Sequence, residues 1–67
     1  MKLAKKVRQQ LGLSGLETSR RAKLPPATVS QIENGRFIPY PVQLERLALA
    51  LQWPGNPEEL LEEVPEP

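Results

Sequence analysis

The chain has 67 residues with nine Lys/Arg, eight Glu, no Asp, no Cys and no His. That length makes one small domain near the lower limit for folding without staples, and the missing ligand types exclude a zinc site or a disulfide framework. No apolar run approaches the roughly 18 residues needed to span a bilayer, and the N-terminus lacks the apolar core of a signal peptide, so a cytoplasmic protein is expected.

The net charge of +1 conceals a division along the chain. Residues 1–40 carry eight basic side chains against Glu17 and Glu33, a net +6. Residues 41–67 carry Arg46 against six glutamates, a net −5. A polyanion would be drawn to the first part and repelled by the second. Taken alone, the lysines are equally consistent with solvated helix faces. The absence of Asp, the single Met and the eight prolines resemble a heat-adapted composition.

Apolar residues recur at helical spacing, and strand signals are nearly absent. A first helix over Lys2–Leu11 places Leu3, Val7 and Leu11 on one stripe and ends at Gly12. Ser14 and Glu17 have capping-box spacing and open a second helix to about Lys23, with Leu16 and Ala22 as apolar anchors helped by Thr18 and Ser19. Pro25-Pro26 ends that helix and starts a third, over Pro26–Asn34, that stops at Gly35. After the proline-restricted loop Arg36–Tyr40, a fourth helix spans Pro41–Gln52. Asn56-Pro57-Glu58-Glu59 reads as a cap, a first-turn proline and dipole-matched acids, opening a fifth helix to about Val64. The domain is therefore expected to occupy residues 1–64, with 65–67 as a frayed tail. The fold class is all-α.

On the third helix, Val29 and Ile32 share one side, while Ala27, Gln31 and Asn34 fall nearly opposite, flanked by Thr28 and Ser30. That outward stripe carries no long charged side chain. It can approach another surface closely, although a merely hydrated helix is the plain alternative. In a DNA major groove the Gln31 amide could donate to and accept from an adenine edge, and Ala27 and the Pro26 ring could meet a thymine methyl. Thr28 and Ser30 suit base edges or phosphates. Glu33 lies near the buried side and needs a partner, for which Arg8 on the first helix is the candidate. On the fourth helix Leu44, Leu47, Ala48 and Leu51 form a core stripe. Val42, Leu49 and Trp53 lie roughly opposite, to be covered by the fifth helix or by a second subunit as a dimer interface.

The block Pro26-Ala27-Thr28-Val29-Ser30-Gln31-Ile32-Glu33-Asn34-Gly35, the proline loop, and Leu44, Leu47, Ala48 and Leu51 resemble the helix-turn-helix domain of the Cro/C1-type (xenobiotic-response-element) regulators. The resemblance runs from Gly12 to Leu51. It implies a compact five-helix, lambda-repressor-like fold whose second and third helices bind DNA. It implies base contacts at Pro26, Ala27, Thr28 and Gln31, phosphate contacts at Asn34 and Arg36, and an Arg8–Glu33 pair bridging helices. To the phosphate set we add the Gly15 backbone amide, Ser30 and Arg20, with Lys2, Lys5 and Lys6 supplying general attraction. Three positions depart from the family pattern. Gly15 stands where many members carry a Gln, Thr18-Ser19 replace Leu-Ala, and Lys23 replaces the turn glycine.

The resulting expectation is a non-enzymatic, sequence-specific transcriptional regulator, with repression and activation both open. It would bind double-stranded DNA at a palindromic operator as a homodimer and need no cofactor or metal. A protein-interaction module that keeps the same fold, such as an antitoxin or accessory factor, is the alternative, with a protein partner in place of DNA. An enzyme finds no support, because His, Cys, Asp and a phosphate-binding glycine loop are all missing.

Overall fold

A computed structural model describes residues 1–66. Four α-helices, α1 (Leu3–Gln10), α2 (Gly15–Ala22), α3 (Pro26–Glu33) and α4 (Pro41–Ala50), are followed by a 3-10 helix, Pro57–Leu61. The ends of the α-helices share one device. Gly12, Lys23, Gly35 and Gln52 all take left-handed φ, at 71, 57, 74 and 55°. At each site the next residue's N–H reaches back to a carbonyl of the last helical turn. The four bonds are Leu13 to Arg8 at 3.1 Å, Leu24 to Ser19 at 3.0 Å, Arg36 to Gln31 at 2.9 Å and Trp53 to Ala48 at 2.9 Å. This closure satisfies carbonyls that would otherwise lack partners.

Two of those positions are not glycine, and an L side chain there crowds its own carbonyl. Lys23→Gly should therefore raise stability by about 0.5–1 kcal/mol after the added freedom of the unfolded chain is subtracted. For a domain this small that is roughly 2–8 °C in melting temperature, read by thermal circular dichroism. A lowered melting temperature would show that Lys23 bears no strain.

The main core joins Ala4 and Val7 of α1, Ile32 of α3, Leu44, Leu47 and Ala48 of α4, Leu51, and Leu60 of the 3-10 helix. A second, smaller cluster places Ala22, Leu24, Val29 and Ala50 together, seating the α2–α3 corner against the end of α4. The stripe Leu44, Leu47, Ala48 and Leu51 is buried as its spacing requires.

Two expectations are corrected. Leu16 was expected to anchor α2, but it is 48 % exposed, and the buried face of α2 is Thr18, Ser19 and Ala22. The hydroxyls make this possible by bonding within their own helix. Thr18 donates to the Ser14 carbonyl at 3.0 Å and Ser19 to the Leu16 carbonyl at 2.7 Å, so neither enters the core unsatisfied. The N-terminus of α2 is held by Ser14, whose Oγ accepts from the Glu17 N–H at 3.0 Å.

The fifth element is not an α-helix reaching Val64. Asn56 Oδ1 accepts from the Glu58 N–H as a cap, but the turn is 3-10 and the chain is extended from Glu62. The backbone there pairs with the start of the chain instead. Leu3 N–H bonds the Glu62 carbonyl and Val64 N–H bonds the Met1 carbonyl, both at 2.8 Å, around an antiparallel Lys2–Glu63 bridge. Those long-range bonds displace helical ones. Lys2 Nζ lies 3.0 Å from Glu63 Oε1, and this hydrogen bond holds the Glu63 carboxyl below its ordinary value. The tie therefore persists on mild acidification and is lost as pH falls through that lowered value. Pro65 and Glu66 are exposed and irregular, and Pro67, the last residue of the expected tail, lies outside the described residues.

Candidate nucleic-acid interface

Helix α3 begins where two prolines meet. Pro25 is extended at φ −59°, ψ 144°, the conformation that a following proline favours. Pro26 occupies a first-turn position whose N–H would have had no helical partner. From there the helical period sorts the side chains. Val29 and Ile32 are each 1 % exposed. Pro26, Ala27, Ser30, Gln31 and Asn34 face solvent, with Thr28 half-buried at their edge. Gln31 makes no side-chain hydrogen bond among the described residues, so its amide is free to pair with an outside group. Asn34 Nδ2 lies 3.4 Å from Ser30 Oγ, a long contact that leaves both available.

Arg8 and Glu33 are brought together. Arg8 Nε donates to Glu33 Oε2 at 2.8 Å and Nη2 to Oε1 at 3.0 Å, a two-pronged match. The third prong, Nη1, donates to the Leu13 carbonyl at 3.0 Å, a contact that no local pattern signals. One guanidinium thus fixes α1, the α1–α2 loop and the end of α3 in a single geometry.

Beside this pair lies a notch of about 220 Å³, lined by Lys5, Arg8, Gly15, Pro26, Val29, Ser30, Glu33 and Asn34. It gathers three of the expected phosphate contacts, Gly15, Ser30 and Asn34, at the rim of the exposed α3 face. A Cβ placed on Gly15 would meet nothing within 4 Å, so the approach to its backbone is open. Arg20 and Arg36 are exposed outside the notch. Lys2 is engaged with Glu63 and its chain lies along Gly35, so it is a less free cation than Lys5 or Lys6.

An exposed third helix, a preceding helix joined to it at a tight left-handed corner, and an Arg8–Glu33 bracket at the end of the third are now in place. A family model described as helix-turn-helix matches residues 5–53. The chain belongs to the Cro/C1-type helix-turn-helix family. Membership makes this a DNA-binding domain of the transcription-regulator class. No curated protein and no solved structure matches the chain. The matched span of the helix-turn-helix domain ends at Trp53, so the 3-10 helix and the return to the N-terminus lie beyond it. No helix among the described residues is long and apolar enough to cross a membrane.

The three departures from the family pattern are accommodated differently. Gly15 opens the notch, Thr18 and Ser19 are buried with their hydroxyls bonded, and Lys23 adopts the left-handed corner at φ 57°, ψ 41°. Sequence reasoning did not single out Ile38 and Tyr40, which are 82 % and 67 % exposed in the loop before α4. Only Tyr40 lies between prolines; Ile38 precedes Pro39, which is itself buried, and no local signal marked Ile38 as exposed.

Proposed function

We propose that this domain is a sequence-specific transcriptional regulator that acts in the cytoplasm as a homodimer on a palindromic operator. Helix α3 lies in the major groove. Gln31 reads a base edge, most simply an adenine, with Pro26, Ala27 and Thr28 contacting neighbouring bases. Gly15, Arg20, Ser30, Asn34 and Arg36 hold the phosphates and set the register. Val42, Leu49 and Trp53 belong to the subunit contact. The observation that carries this reading is the bare α3 face, small and amide-bearing, in the basic part of the chain. One short reading helix covers few base pairs, so two copies about 34 Å apart supply the length of site that a regulator needs.

Gln31→Ala should lower preference for the selected site over scrambled DNA by about 1–3 kcal/mol. Arg36→Ala should weaken both DNAs alike and flatten the salt dependence by about one unit. Fluorescence anisotropy at several salt concentrations, on a site selected from random DNA, measures both. Equal losses on the two DNAs for Gln31→Ala would remove the readout role.

A second reading, a protein-binding module on the same fold, draws on the exposed Leu16, Ile38 and Leu49. It predicts no shift of any selected DNA and stable capture of a protein partner.

A further inference from the structure

The fold returns the acidic end of the chain to the start of its basic half. Lys2 and Glu63 face each other in the antiparallel bridge, and the Leu3–Glu62 and Val64–Met1 backbone bonds fix the chain on both sides. Lys2 Nζ lies 3.0 Å from Glu63 Oε1, and the Met1 ammonium, which donates to the Val64 carbonyl, lies 3.4 Å from Oε2. The Lys2 stem also passes over the end of α3. Its Cε and Nζ stand 3.4 and 3.9 Å from the point where a Cβ would sit on Gly35. Gly35 separates Asn34 from Arg36, both exposed and both assigned to phosphates. One more cation therefore sits at the end of α3, turned toward a carboxylate.

We infer that Lys2 is a phosphate contact held in reserve, with Glu63 as a built-in competitor that occupies its ammonium until DNA displaces it. This rests on the DNA reading and adds to it a contact and a brake. Carboxylate and phosphate oxygens are alternative anionic acceptors for one ammonium. Lysine carries its charge on a flexible stem, so it can turn from one to the other while the bridge keeps its backbone in place. Arg8 is the contrasting case, because its guanidinium is tied by three hydrogen bonds and is not free to turn. The Lys2 ammonium has Glu63 alone as an ion-pair partner among the described residues.

The position of Glu63 sets what the brake can do. A lysine–phosphate contact carries no sequence information, so the brake acts on selected and scrambled DNA alike. The Glu63 side chain is 68 % exposed, so water weakens its hold and DNA can displace it. The segment that supplies the carboxylate lies beyond the helix-turn-helix match, which ends at Trp53, and so tunes affinity without altering α3.

Fluorescence anisotropy over a salt series, on selected and scrambled DNA, tests the exchange. Glu63→Gln leaves the backbone bridge intact and should fold normally by circular dichroism. It should tighten binding about two- to fivefold on both DNAs and steepen the salt dependence by about one unit. Glu62→Gln removes the same charge from the neighbouring position of an extended segment, where side chains alternate sides, and should change binding less than about 1.5-fold. Lys2→Gln should weaken binding about two- to fivefold in the Glu63→Gln background. In the parent, where the ammonium is already occupied, it should weaken binding less than about 1.5-fold. Equal gains from the two glutamate variants, no gain from either, or equal losses for Lys2→Gln in both backgrounds would overturn the inference. Those outcomes leave the DNA reading standing as long as Arg36→Ala still weakens binding. A parent protein that selects no DNA at all would remove both.

Discussion

Glu33→Ala is expected to destabilise the domain by about 3–5 kcal/mol, which is as much as a single core of this size supplies. The Glu33 side chain is 8 % exposed and accepts two hydrogen bonds from Arg8, itself only 15 % exposed. Removing the carboxylate leaves a guanidinium largely withdrawn from water, with the Leu13 carbonyl as its remaining partner. The penalty is that of an uncompensated charge and exceeds what the pair adds when intact. The double variant Arg8→Met, Glu33→Leu keeps approximate volume without charge and should recover most of the loss. Far-UV circular dichroism melts of the three proteins decide the matter. A Glu33→Ala protein melting within a few degrees of the parent would show that the bracket contributes little.

The second large effect is at Leu60. Leu60→Ala is expected to cost about 2–5 kcal/mol, the range for truncating a fully buried leucine in a core that cannot close around the gap. Leu60 is 0 % exposed and touches the same cluster as Ala4, Leu47 and Leu51, although it sits on a five-residue 3-10 turn beyond the family match. Its neighbour Leu61 is only partly buried, and Leu61→Ala should cost markedly less. Chemical denaturation of both variants tests this. Equal and small losses would mean that the C-terminal segment is an appendage and that the core is complete at α4.

The two expectations draw on different degrees of legibility in the sequence. The Arg8–Glu33 bracket was readable because Glu33 falls about 40° from Val29 on the buried side of α3, where a charge demands a partner. The α3 face itself was readable from the 100° period alone. The role of the last ten residues was not. Asn56-Pro57 signals a helical start, but nothing local distinguishes a 3-10 turn from an α-helix. The choice fell to backbone bonds between Glu62, Val64 and the first three residues, more than fifty positions away.

The α2 face shows the same division at the level of one helix. Leu16 is the more apolar residue, yet Thr18 and Ser19 are the buried ones, because α2 meets α3 and α4 on that side. Side-chain hydrophobicity ranks positions, but the neighbours decide which side is covered. A hydroxyl that bonds its own backbone can then be buried at little penalty.

By itself, the sequence determined four α-helices, their glycine and proline boundaries, the separation of charge along the chain, and which residues share the outward side of α3. These depend on backbone conformation and on a fixed angular period, both of which act over a few residues. Only the tertiary structure decided the closure of the C-terminus onto the N-terminus and which apolar side chains stay exposed along α4. Each of these depends on distant segments competing for the same backbone groups or the same apolar surface, and no local rule weighs that competition.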